Sequence, residues 1–233
     1  MRVRSFLLTA GILLVSATAY AEPLRISVGV KPWLAEWKTS SPDGTFRSRV
    51  GALYGPVAIL RYGGFFAGAT YLRGAFPVPL SSATVGSTQD ADTTRIDTDF
   101  TAGYYLSPYF GLIGGYKYID FTISFPPGSP ALDQTQKIEG PFGGILTSYP
   151  LRRSGFAAYG TFTYSALTRR SKVGTIQGEG EFQGPSAEVG LAYRAPKSAL
   201  TFAEGYKFQR FNDRAAKTSD TFHGLLINMA YSF

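Results

Sequence analysis

Read back from the C-terminus, large apolar residues occupy every second position: Phe233, Tyr231, Met229, Ile227 and Leu225. Between them stand Ser232, Ala230, Asn228, Leu226 and Gly224, small or polar with one exception. A period of two puts these sets on opposite faces of a strand. The same alternation, weaker, divides the chain into ten segments: 24–38, 54–62, 65–76, 93–106, 109–121, 137–149, 156–168, 181–194, 198–211 and 221–233. Gly63-Gly64, Ser107-Pro108, 150–155 and 195–197 read as tight turns, whereas 39–53, 77–92 and 126–136 read as longer loops. Long and short connections alternate to the end. Eight strands, the second choice, would leave one long connection where alternation is visible.

The apolar face of the last segment needs an apolar neighbour. This segment resembles the C-terminal strand of Gram-negative outer-membrane β-barrels, which ends in an aromatic residue. The resemblance implies an all-β fold, an antiparallel transmembrane β-barrel of ten strands, in the cell outer membrane. It also implies that Leu225, Ile227, Met229, Tyr231 and Phe233 form a membrane-insertion signal read by the barrel-assembly machinery. Such barrels have short periplasmic turns and longer external loops, so both termini are expected to be periplasmic.

The other end of the chain agrees. Arg2 and Arg4 precede a short apolar run from Phe6 to Val15, and Ala19-Tyr20-Ala21 fits a signal-peptidase site. The run is too short to span a bilayer as a helix. Cleavage is expected after Ala21, leaving the barrel as residues 22–233. There is no cysteine, hence no disulfide framework, and only 17% of residues are charged although Tyr and Phe number 15 and 18. A soluble domain of this size would show more charge; a soluble secreted β-protein is the alternative. The formal charge of +7 loses two units with the leader and suits outer-membrane lipids and lipopolysaccharide better than nucleic acid.

Alternation assigns faces. Leu24, Ile26, Val28 and Val30 point to lipid, with Arg25 and Lys31 inside. Pro32 marks an expected bulge, beyond which Trp33 and Trp37 are assigned to an aromatic girdle. Ile96, Phe100 and Tyr104 face out, and Arg95, Asp97 and Asp99 face in. Lys117, Glu139 and Glu188 complete the expected lumen set, together with Arg61 and Arg73 by parity. An inward charge avoids the ~2–4 kcal/mol that Arg or Lys costs against lipid at the midplane. Two readings of the lumen remain: an ion-pair network filling the bore, or a narrow, porin-like polar passage with slight anion preference. Glu204 shares the outward parity of Phe202 and Tyr206, and a bulge near Gly205 is expected to re-aim it.

An enzyme is not expected. Asp97-Thr98-Asp99 is superficially similar to the first aspartate pair of omptin proteases. The single histidine, His223, is three residues from Asp220, an odd separation that puts the two on opposite faces. With one histidine and no cysteine, no metal or cofactor is expected either. Arg169, Arg170, Lys172, Arg210, Arg214 and Lys217 lie at the ends of the later outer loops and form an expected contact for lipopolysaccharide phosphates. A surface adhesin or receptor using the second and third loops is the alternative function. Ligand and oligomeric state stay open.

Overall fold

The computed structural model describes residues 23–42, 44–79, 91–125, 133–151, 155–195 and 198–233. The expected leader and the tips of the second and third loops lie outside them. Among the described residues there are thirteen strands: β1 (Arg25–Val30), β2 (Trp33–Ser41), β3 (Gly44–Arg47), β4 (Gly51–Tyr54), β5 (Pro56–Tyr62), β6 (Phe65–Ala75), β7 (Asp92–Tyr105), β8 (Phe110–Ser124), β9 (Gln134–Pro150), β10 (Phe156–Val173), β11 (Ile176–Arg194), β12 (Leu200–Asp213) and β13 (Thr218–Ser232). β1 and β2 run in line as the first stave, and β3, β4 and β5 as the second. Every later strand is one stave, which makes ten. Each pairs antiparallel with the next, and β13 closes on β1 through Ser27↔Ser232 and on β2 through Leu226↔Trp33. Closure pairs every stave on both sides; free edges remain at the loop end, where β3 pairs with β2 alone and residues 176–181 of β11 with β10 alone.

The exterior is apolar. Ile26, Val28 and Val30 are each more than 40% exposed, as are Leu225, Ile227, Met229, Tyr231 and Phe233 on the last stave. Soluble monomers rarely expose a continuous apolar surface of this kind. A barrel standing in hydrocarbon requires it. Aromatic pairs ring the end where the termini lie, among them Phe65 with Tyr104, Tyr109 with Tyr149, Phe156 with Tyr193 and Tyr231 with Phe233.

Pro32 makes no bulge. Val30↔Met229 and Leu34↔Leu225 hold one register across it. The Ile227 N–H donates to the Pro32 carbonyl at 2.9 Å and the Lys31 N–H to that of Gly55 at 2.9 Å, so the ladder continues. Parity therefore runs unbroken, and Trp33 and Trp37 point into the bore rather than into a girdle; they are 0% and 6% exposed. The register shift sits in the second stave, at residues 48–50, between Lys38↔Arg47 and Leu34↔Ala52.

The expected bulge at Gly205 is also absent. Ala203↔Asn228, Glu204↔Ile227 and Gly205↔Leu226 follow in strict order. Glu204 thus faces outward between Leu191 and Ile227, with no hydrogen bond or ion pair among the described residues. A lipid-facing carboxylate is unfavourable, less so than the ~2–4 kcal/mol for Arg or Lys at the midplane. Glu204→Leu is expected to stabilise the barrel by ~1–2 kcal/mol, read from urea unfolding in lipid vesicles. A loss of stability would show that the carboxylate has a partner.

The loop end is built from strand extensions. β10 and β11 pair without a break from Phe156↔Tyr193 to Val173↔Ile176, and the expected loop shrinks to Gly174-Thr175. Gly174 has φ +58°, the left-handed value a two-residue hairpin turn needs at its first position. Residues 169–181 lost their alternation because both faces are polar there. Backbone pairing does not depend on it.

Candidate functional site

The interior has two levels. At the loop half, inward positions are apolar: Trp33, Leu53, Leu72, Phe76, Phe121, Phe182, Phe211, Phe222 and Leu226 form one buried cluster. Trp37 stands edge-on to Phe121 with ring centres 4.6 Å apart and lies parallel to Phe222 at 6.0 Å. Arg95 crosses this plug from β7. It is fully buried, donating from Nε and Nη2 to the two Asp97 oxygens at 2.6 and 2.8 Å and from Nη2 to Gln209 Oε1 at 3.2 Å on β12. Its guanidinium lies 3.9 Å from the centre of the Phe222 ring. β7 and β12 are the fourth and ninth staves, on opposite walls, so the side chain bridges the bore. A buried cation of this kind persists only when paired and hydrogen-bonded.

Below the plug, toward the termini, the bore opens into a polar cavity of about 550 Å³. Its wall carries six cations, Arg25, Lys31, Arg61, Lys117, Arg194 and Lys207, against two carboxylates, Asp99 and Glu188. Lys31 lies 3.5 Å from Glu188, which also accepts from the Tyr159 hydroxyl at 3.1 Å. Lys117 pairs with Asp99 across β7 and β8. Arg61 packs over Tyr105 at 4.7 Å near the mouth. Lys207 has no ion pair among the described residues and lies 4.7 Å from the Trp33 ring at the inner end.

Of the expected lumen set, Arg25, Lys31, Arg61, Asp99, Lys117 and Glu188 line this cavity, while Arg95 and Asp97 sit in the plug. Two do not face inward. Arg73 is exposed: the Gly63-Gly64 turn sets Arg61 opposite Phe66, so even residues face the bore on β6 and Arg73 shares the outer face with Tyr71. Glu139 lies on the outer face of β9, because Ile138, Phe142 and Leu146 occupy the inner one, and pairs with Arg170 at 2.9 Å. Sequence reasoning passed over Lys207, Gln209 and Tyr159. The outward parity of Phe202 and Tyr206 carried the signal for the first two.

The expected lipopolysaccharide set also divides. Arg169 turns inward, 2.6 Å from Asp213 and 4.6 Å from the Phe182 ring, so it is not a surface cation. Arg170 is exposed but bound to Glu139. Lys172, Arg210, Arg214 and Lys217 are exposed at the loop end. His223 stands on the outer face, with Nδ1 2.7 Å from the Tyr206 hydroxyl, whereas Asp220 faces in and accepts from Trp37 Nε1 at 3.1 Å. Asp97 is held by Arg95 and Asp99 by Lys117, so the omptin-like residues do not converge.

No family model matches the sequence, and no curated protein matches it. Solved structures do. The outer-membrane protease OmpT of Escherichia coli superposes with TM-score 0.57 at 14% identity, covering 93% of this chain and 99% of that one. The fold is that of an outer-membrane β-barrel. Neisserial surface protein A matches with TM-score 0.45, 12% identity and coverage of 91% and 99%. Ail, the attachment invasion locus protein of Yersinia pestis, matches with 0.42, 9%, 89% and 99%.

Proposed function

We propose that the protein is an integral outer-membrane barrel with a blind bore, structural rather than conducting, and with both termini in the periplasm. The observation that carries this is the Arg95 bridge between opposite walls, embedded in aromatic side chains. It favours a filled interior over the narrow passage. The short connections at 63–64, 106–109 and 195–199 support a periplasmic terminal end, since external loops are the longer ones. The apolar belt would meet outer-membrane lipid. The outward Leu225, Ile227, Met229, Tyr231 and Phe233 suit a signal for the barrel-assembly machinery. Lys172, Arg210, Arg214 and Lys217 remain available for lipopolysaccharide phosphates. The adhesin reading rests on second and third loops whose tips lie outside the described residues.

Planar-bilayer recording of the folded mature protein tests the proposal. No steady conductance step is expected at moderate voltage, because Arg95 and the aromatic side chains around it fill the bore above the cavity. A stable, reproducible open level would restore the passage.

A further inference from the structure

We propose that the blind cavity is a binding site for a small organic anion, with Lys207 holding its carboxylate or phosphate group at the inner end. This deepens the reading above and rests on its sealed bore. Binding is read in detergent solution and conductance in a bilayer, so the two can fail separately.

Four observations converge. The cavity volume, about 550 Å³, falls within the range of roughly 300–1,000 Å³ for small-molecule sites. The charges on its wall are unbalanced, and the two carboxylates already have partners: Lys117 for Asp99, and Lys31 with Tyr159 for Glu188. Lys207 is left over. It is 8% exposed, lines the cavity and lies against the face of Trp33. Glu188 is its cross-strand neighbour and Asp99 also lines the cavity, but neither carboxylate is within ion-pair distance of it. A buried ammonium whose nearby carboxylates are already engaged by Lys31 and Lys117 has no direct partner, and an incoming anion supplies one through charge-assisted hydrogen bonds. Two inward positions nearer the mouth, Asn228 Oδ1 is buried without a hydrogen-bond partner, an acceptor available to an N–H or O–H elsewhere on the ligand.

The remaining wall sets the rest of the ligand. Phe66, Ile113, Phe142 and Leu146 offer apolar surface between the inner lysine and the mouth. Arg25, Arg61 and Arg194 stand around the entrance, where a ring of like charge draws anions in. The complementary molecule has one anionic head, directed inward, and a compact apolar body.

Isothermal titration of the folded mature chain in non-ionic detergent with benzoate, phenyl phosphate and the neutral isostere benzamide tests this. Both anions are expected to bind one to one, with benzamide weaker by about tenfold or more, the worth of one charge-assisted hydrogen bond. Lys207→Gln should remove most of that difference, whereas Lys207→Arg should retain it. Arg61→Gln should have a smaller effect that disappears at high salt. The proposal is overturned if neither anion binds at millimolar concentration, if benzamide binds as well as benzoate, or if a folded Lys207→Gln protein binds unchanged. The comparison of anion with isostere on the wild-type chain decides even where a variant fails to fold.

Discussion

Arg95→Met is expected to destabilise the barrel by about 3–5 kcal/mol, the usual result of removing one partner of a buried ion pair. The substitution keeps an unbranched apolar stem but ends two atoms short, leaving the Asp97 carboxylate, 2% exposed, without its bidentate partner and Gln209 without its donor. Returning that carboxylate to water means loosening the plug around Phe222. The double variant Arg95→Met/Asp97→Leu should recover most of the loss, because an apolar pair suits the aromatic surroundings. Guanidinium unfolding in detergent, followed by the fluorescence of Trp33 and Trp37, reads both. A loss below ~1 kcal/mol, as for exposed ion pairs, would mean that Arg95 is solvated and the bore is wet at that level.

Gly224→Val should prevent closure of the seam between the last and first staves. Gly224 lies opposite Ala35, and a Cβ there would collide with the Leu34 carbonyl oxygen and the Ala35 Cα. Both are backbone atoms of the paired strand and cannot step aside. The penalty is expected to reach ~3 kcal/mol or more, the upper end for overpacking. It concentrates where β13 must find β2 to complete the ring. Folded barrels resist SDS and run faster on unheated gels; the variant should run at the heated position. Gly143→Ala is the control, because its Cβ would meet nothing closer than the Ile113 carbonyl oxygen at 3.9 Å. Normal mobility for Gly224→Val would show that the seam is looser than its register implies.

The last stave was legible because hydrocarbon demands large apolar residues on one face, while close packing inside keeps Gly224, Asn228 and Ala230 small or polar. β7 was legible for the same reason, with Arg95, Asp97 and Asp99 alternating against Ile96 and Phe100. The assumption that failed was that interiors of such barrels are polar throughout. In the loop half they are aromatic, so Trp33 and Trp37 carried no contrast with the lipid-facing Leu34. On β6, Phe65 and Phe66 face opposite ways, and parity had to come from the turn. Glu204 and Glu139 broke the pattern in the other direction, as acids on the outer face. Pairing across strands, such as Arg170 with Glu139 or Arg95 with Gln209, depends on register, which a two-residue period does not fix. The cavity was half legible: most of its charges were assigned inward, but not its closed end.

Whether the barrel is inside-out is decided by which side chains of the final stave meet lipid. The chain has no cysteine, so single nitroxide-labelled cysteines can be placed at each position from 224 to 232 without background. In lipid vesicles, collision with oxygen should rise and fall with a period of two, high at 225, 227, 229 and 231 and low at 226, 228 and 230. A flat profile, or maxima at the even positions, would contradict the inside-out barrel.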